Sequence, residues 1–368
     1  SQGCDRLSYF LFRSAHPRIV RWVGSCARHA LRVGGVHSLW RIAFLIPLPK
    51  PNGKFRPIAL LSNLAKIIER GVLVLLRHYT APPVEQCARK GGGGTSGALF
   101  GLANYIDACS VDSELPVHAV FFDVSKAFDR VHVPTLMKHL ERLGVPYYLR
   151  RWLYAYLTDR KGCVGSSTVA MVNGVPQGSV LGPELFQLYV SDVLEGLPVY
   201  RVAYMDDFCI AYGSRKLVDI SRTLNRCLEL IAGRCKAIGL ELDEIKTKAM
   251  LLKRQTTRKK HKRLVLRLGD RILSYVTEYK YLGVIWDSKL SFKTFLDAKL
   301  EKSHERNRHI FRLTGMVSKE LRELWIGYVL SYFSYGLPII KRYLCRTRVE
   351  KLEAFYNSSM RRNTCSLK

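Results

Sequence analysis

Two hydrophobic rhythms alternate along this chain. From Asp5 to about Trp40, apolar residues recur at helical spacing with basic residues between them, and Trp40 to Pro49 then reads as a buried strand. Ile58 to Tyr79 predicts a helix with Leu61, Leu64, Ile68, Val72 and Leu75 on one face. After the glycine run Gly91 to Gly94, another helix is expected from Thr95. Val117 to Val124 is an apolar strand interrupted only by His118 and closing on Asp123. Pro134 and Pro146 each fit a first helical turn, giving two helices between 134 and 157, and a hairpin follows from Gly162 to Val172. Asn173 to Pro183 is a loop that feeds a helix over 183–195. Val199 to Ala203 and Phe208 to Tyr212 are β-forming runs joined by Tyr204-Met205-Asp206-Asp207, the pattern of a hairpin. Ser214 is placed to cap a long helix that stops at Gly239. A short strand at Ala249 to Leu252, a hairpin around Gly269-Asp270 and a strand pair over Tyr279 to Trp286 follow. Beyond Ser291 the chain turns helical and basic, with a capping box at Thr347 to Glu350. Hairpins interleaved with helices, then a helical tail, predict an α+β fold.

Composition narrows the function. The 368 residues are 48% hydrophobic, enough for a real core, but 59 Lys+Arg stand against 30 Asp+Glu, a net charge of +29. Self-repulsion of that size calls for a polyanionic partner, and nucleic acid is the commonest. A membrane fits less well, because the charge is spread along the chain and no apolar run reaches the roughly 20 residues of a span. Ten cysteines without a C-x-x-C pair argue against structural zinc and a disulfide framework, and for reduced thiols in an intracellular protein. The glycine run lacks the Lys-Ser/Thr ending of a P-loop. A chain that starts at Ser1 and has no signal core is expected to be a piece of something longer.

Candidate chemistry sits in four places. An Asp-Asp turn has a ready structural explanation, since Asp suits tight backbone. A carboxylate closing a buried strand, as Asp123 does, is harder to explain without a cation or several hydrogen bonds. One sheet can bring Asp123, Asp206 and Asp207 together, and three carboxylates in a small volume suit divalent metal and two-metal phosphoryl transfer. Around Asn52-Gly53, Lys50, Lys54 and Arg56 mark either a solvated turn or a grip on triphosphate. Gln177 and Gly178 lie in a loop with apolar flanks, where glycine permits close backbone approach to a ligand. Lys253 to Arg263, including Lys259 and Lys260, is a solvated run or a phosphate contact, and Arg89 and Lys90 are placed to touch phosphate as well.

The chain resembles the reverse transcriptases of non-LTR (LINE-type) retrotransposons. The resemblance lies in Phe121-Phe122-Asp123-Val124-Ser125-Lys126-Ala127-Phe128-Asp129, Asn173 to Pro183, Tyr204 to Asp207, Gly239 to Met250, Tyr279 to Asp287, and Arg56-Pro57-Ile58 with Leu60-Leu61-Ser62, all in the family's order. Ser334-Tyr335-Gly336 and Leu352-Glu353 extend it into the tail. It implies a right-hand polymerase: fingers and the start of the palm over 1–117, palm over 118–287, and a thumb-like helical region over 288–368. It also implies two Mg²⁺ (or Mn²⁺) on Asp123, Asp206 and Asp207, with Lys246, or nearby Lys248, as proton donor to pyrophosphate. Lys50, Lys54, Arg56, Phe128 (a steric gate), Gln177 and Gly178 would meet the dNTP. Met205 is expected beside the primer end, and Tyr281, Leu282 and Gly283 form a primer grip. RNA template, DNA primer, dNTPs and a nuclear location complete what the resemblance implies.

Three positions depart from the family's pattern: Met205 in place of Ala, Asp243 in place of Asn, and the glycine-rich stretch Gln86 to Ser96. None of them removes an expected metal ligand. Two rivals are a group II intron maturase-like enzyme and an inactive nucleic-acid-binding descendant, the latter favoured only by the Gln86 region.

Overall fold

The computed structural model describes residues 3–49, 53, 55–81, 83–89, 91–113, 115–253, 263–312 and 318–365. Two helices open the chain, α1 (Tyr9–Arg13) and α2 (Pro17–Val33), followed by a hairpin of β1 (Ile42–Pro49) and β2 (Phe55–Leu60). Next come α3 (Asn63–Tyr79), α4 (Gly94–Ser113) and β3 (Val117–Phe122), then α5 (Val133–Arg142) and α6 (Tyr147–Leu157). The hairpin of β4 (Arg160–Val164) and β5 (Ser167–Met171) leads through a loop to α7 (Gly182–Tyr189). The hairpin of β6 (Tyr200–Tyr204) and β7 (Asp207–Gly213), then α8 (Leu217–Ala237) and β8 (Lys248–Leu252), complete a central unit. Two small hairpins follow, β9 (Arg267–Leu268) with β10 (Arg271–Ile272) and β11 (Glu278–Tyr281) with β12 (Val284–Asp287). The tail holds α9 (Lys293–Phe311), α10 (Ser318–Trp325), α11 (Ser331–Ser334), α12 (Leu337–Ile340) and α13 (Arg346–Cys365). The architecture is α+β.

The central sheet has the order β6-β7-β3-β8, with every described pairing antiparallel. All six residues of β3 are buried, and strand alternation divides them between two cores. Val120 and Phe122 join one with Phe208 and Ile210 against α5 to α8, while Val117, Ala119 and Phe121 join the other with α4, the β11–β12 hairpin and α9. Packing on both faces explains the nearly unbroken apolar run. The tail has its own core of Ile310, Trp325, Val329, Phe333 and Phe355.

A second sheet, β2-β1-β4-β5, pairs β1 parallel to β4. Here the structure corrects two expectations. The segment at 58–60 is strand, not helix, because it pairs with β1 from Phe44↔Leu60 to Pro49↔Phe55, and the helix begins only after Ser62, whose hydroxyl accepts from Ala65 N–H (3.1 Å). β1 is not buried: Phe44, Ile46 and Leu48 are exposed at 40%, 42% and 44% on one face. Three end signals also move. The helix after Asn173–Pro183 stops at Tyr189, Lys216 rather than Ser214 precedes α8, and Thr347 lies inside the first turn of α13 instead of capping it.

Candidate active site

The register of the central sheet places the three expected aspartates. β3 pairs with β7 up to Phe122↔Phe208, so the next position sets Asp123 beside Asp207. Tyr204↔Asp207 closes a two-residue turn of Met205 and Asp206, and Met205, not an aspartate, takes the left-handed conformation (φ 57°). Asp207 is reached by solvent, yet the protein around it, then the charges of Asp206 and Asp123, push its carboxyl up to about 6, with Arg56 pulling it down. Arg56, on exposed β2, is thus near enough for its charge to act on Asp207.

Asp123 is held from the other side by the segment leading into β8. Asp243 N–H donates to the Asp123 carbonyl (2.8 Å), Asp123 N–H donates to Thr247 Oγ1 (3.4 Å), and Val124 bridges Leu242. Lys246 Nζ sits between Asp123 Oδ2 (3.0 Å) and Asp243 Oδ2 (2.7 Å), and hydrogen bonding to Asp243, then Asp123, raises its pKa. Lys248 instead donates to Ser274 Oγ (2.8 Å), so of the two lysines Lys246 is the one at the carboxylates. Among the described residues, no group of three His, Cys, Asp or Glu side chains is drawn close enough to hold a metal as it stands. The available donors are carboxylate oxygens, which suit a hard divalent cation, and the ammonium on Asp123 marks where positive charge is wanted.

The loop from Asn173 to Pro183 is fixed from beneath by a residue the sequence reading overlooked. Glu69, fully buried on α3, accepts from Ser179 Oγ (2.7 Å), Val180 N–H (2.6 Å) and Leu181 N–H (3.2 Å). Ser179 Oγ in turn accepts from Leu181 and Gly182 N–H (both 3.0 Å), starting α7. Gly178 does meet a close neighbour, but that neighbour is the protein: φ is +133° and a Cβ would lie 2.3 Å from the Ala59 carbonyl. Gln177 is half-buried, with Nε2 donating to Asp129 Oδ1 (3.3 Å) while its carbonyl accepts from Ala59 N–H (2.8 Å). Phe128 stacks on Phe186 of α7 at 4.6 Å and 21°. Gln177 and Gly178 thus pack on Ala59 of β2, and Gln177 also reaches Asp129, beside Phe128 in the turn that follows Asp123.

Other expected contacts fare differently. The Met205 side chain packs on the first core, with Gln187 Nε2 3.8 Å from its sulfur. Tyr281 is only 2% exposed, its ring tilted against Phe121 in the second core, so it cannot touch nucleic acid there, whereas Leu282 and Gly283 form the accessible turn. Arg89 is half-buried. Lys50, Lys54, Lys90, Lys259 and Lys260 lie outside the described residues. An apolar cavity of about 420 Å³ between α2 and α3, lined by side chains such as Ile19, Val23, Ile68 and Val72, is remote from this chemistry. No helix among the described residues is long and apolar enough to cross a membrane.

The chain is similar to known proteins along most of its length. Residues 48–286 match the family model described as reverse transcriptase (RNA-dependent DNA polymerase). A probable RNA-directed DNA polymerase from transposon BS of Drosophila melanogaster is 27% identical, covering 98% of this chain and 42% of its own length. The RNA-directed DNA polymerase from mobile element jockey of the same species is 28% identical over 79% of this chain and 34% of its own. A Pol polyprotein from type-1 element R1 of Bradysia coprophila is 25% identical over 92% of this chain and 35% of its own. The chain thus spans less than half the length of these relatives.

Proposed function

This chain belongs to the reverse transcriptase family, and from that premise we propose that it is the RNA-directed DNA polymerase of a non-LTR retrotransposon, extending a DNA primer along an RNA template with dNTPs. The observation that carries the reading is the pairing of β3 with β7, which sets Asp123 beside Asp207. Asp123, Asp206 and Asp207 would hold Mg²⁺ or Mn²⁺, which when bound neutralises these carboxylates and the substrate phosphates. Arg56 orients the triphosphate by forked hydrogen bonds. Gln177 and Gly178 line the nucleotide pocket, and the Phe128 ring, braced on Phe186, screens the sugar. Lys246, already charged beside Asp123, delivers its proton to the departing pyrophosphate. The right-hand division into 1–117, 118–287 and 288–368 goes with this reading, as does work on nuclear nucleic acid.

The test is primer extension by the purified chain with an RNA template, dNTPs and Mg²⁺. Wild type should extend, and Asp206→Asn with Asp207→Asn should lower the rate by at least about 10³-fold, the scale of lost electrostatic stabilisation. Undiminished extension by the double variant would remove the catalytic assignment. An inert wild type would favour the binding-protein alternative.

A further inference from the structure

A left-handed methionine at the candidate catalytic turn needs outside support. Two-residue hairpin turns favour Asn, Asp or Gly at such positions, and Met carries a steric cost there. The support comes from a buried side chain 119 residues earlier. Gln86, only 2% exposed, accepts from Met205 N–H through Oε1 (3.1 Å) and donates from Nε2 to the Met205 carbonyl (3.0 Å). Its own backbone lies beside β6: Gln86 bridges Ala203, Ala203 N–H donates to the Glu85 carbonyl (2.8 Å), and Cys87 N–H donates to the Ala203 carbonyl (2.9 Å). The side-chain amide thus continues a strand-like edge one step past the end of that backbone pairing, satisfying both polar groups of the left-handed residue.

We propose that Gln86 is a positioning residue for the catalytic turn, its amide clamping Met205 so that the Asp206–Asp207 pair is set for phosphoryl transfer. The stretch that departs most from the family's pattern therefore has a role in catalytic geometry. Gly94 N–H donates to the Cys87 carbonyl (3.0 Å), so the glycine run folds back on the same segment and braces the clamp. The proposal rests on the polymerase reading.

The test compares wild type, Gln86→Leu, Gln86→Glu and Glu85→Gln in primer extension, with template–primer Kd and dNTP KM measured alongside. Glu85→Gln is the structural control: it weakens the Glu85–Arg201 ion pair (2.7 Å) that ties down the same segment, without touching Met205. Gln86→Leu should lower kcat by about 10- to 100-fold, as loss of two buried hydrogen bonds predicts, with KM and Kd within about twofold of wild type. Gln86→Glu keeps the acceptor for Met205 N–H but sets a carboxylate against its carbonyl, and should be impaired too, while Glu85→Gln stays within about twofold. If Gln86→Leu does not fold, Gln86→Glu is read by the same criteria. Active wild type with an equally fast Gln86 variant overturns the clamp and leaves the polymerase standing. So does a kcat loss matched in Kd or in Glu85→Gln. Inert wild type overturns the polymerase reading, and the clamp with it.

Discussion

Lys246 reaches Asp123 because Asp243 holds it there. The Asp243 carboxylate accepts from Ile245 and Lys246 N–H (both 3.0 Å) and from the Lys246 ammonium, turning a departure from the family's pattern into a working contact. An Asn could make the backbone contacts but would lack the charge. Phe128 is placed by similarly local means. Lys126, left-handed at φ 49°, turns the chain after Asp123, and stacking on Phe186 then fixes the ring. Because the ring is braced from behind, Phe128→Ala should open space at the sugar instead of letting the ring swing. Ribonucleotide incorporation relative to dNTP should rise by at least about tenfold in single-nucleotide extension, the lower range for a change in one apolar contact. Unchanged selectivity would remove Phe128 as the gate.

The loop over 173–183 owes its shape to a helix far away in the chain. Glu69 and Ser179 are 110 residues apart, and removing Glu69 strands Val180 and Leu181 N–H without their carboxylate. Glu69→Ala should cost about 2 kcal/mol in urea unfolding, the scale for buried donors left without their acceptor. Dislodging Gln177 should also raise the dNTP KM, and a variant with neither effect would refute the linkage. This contact shows where sequence reading succeeds and where it stops. The β6–β7 turn, the β11–β12 pair and Asp123 at a strand end were legible because alternation and turn residues are local signals. Glu69 and Gln86 were not, since one polar residue on a helix or in a loop reads as surface until its partner is known. The exposed face of β1 was hidden for the same reason: its apolar run looks like core, and only its pairing with β2 and β4 shows one side left open.

At the scale of the whole molecule, one of the cations behind the net charge of +29 is buried in the tail, among aromatic rings and against the Tyr332 carbonyl. Lys299 is 3% exposed among Phe295, Tyr332 and Tyr335, and burial, then Arg306, lowers its pKa to about 8. Below about pH 8 both folded and unfolded chains hold this proton, so the fold bears the full cost of the buried charge. Between about 8 and 10.5 the fold releases it first, and that cost fades as pH rises. Lys299→Met should therefore gain stability over wild type near pH 7, by at most about 3 kcal/mol less what the rings and the hydrogen bond to the Tyr332 carbonyl return. The gain should shrink toward pH 10.5, and a pH-independent difference in denaturation would sink this account. The same tail is joined to the sheet unit by a shared core, by Arg342 and Tyr343 bonded to α4, and by a hydroxyl on the last hairpin. Tyr335 donates to the Leu282 carbonyl (2.6 Å) at the tip of the β11–β12 turn, and its ring lies 3.3 Å from where a Cβ on Gly283 would be. Gly336, immediately after it, is packed against Val284 and Phe295 just as closely. The tail helices and the turn are therefore keyed to each other at Tyr335 and Gly336, and bulk added at Gly283 or Gly336 would push them apart.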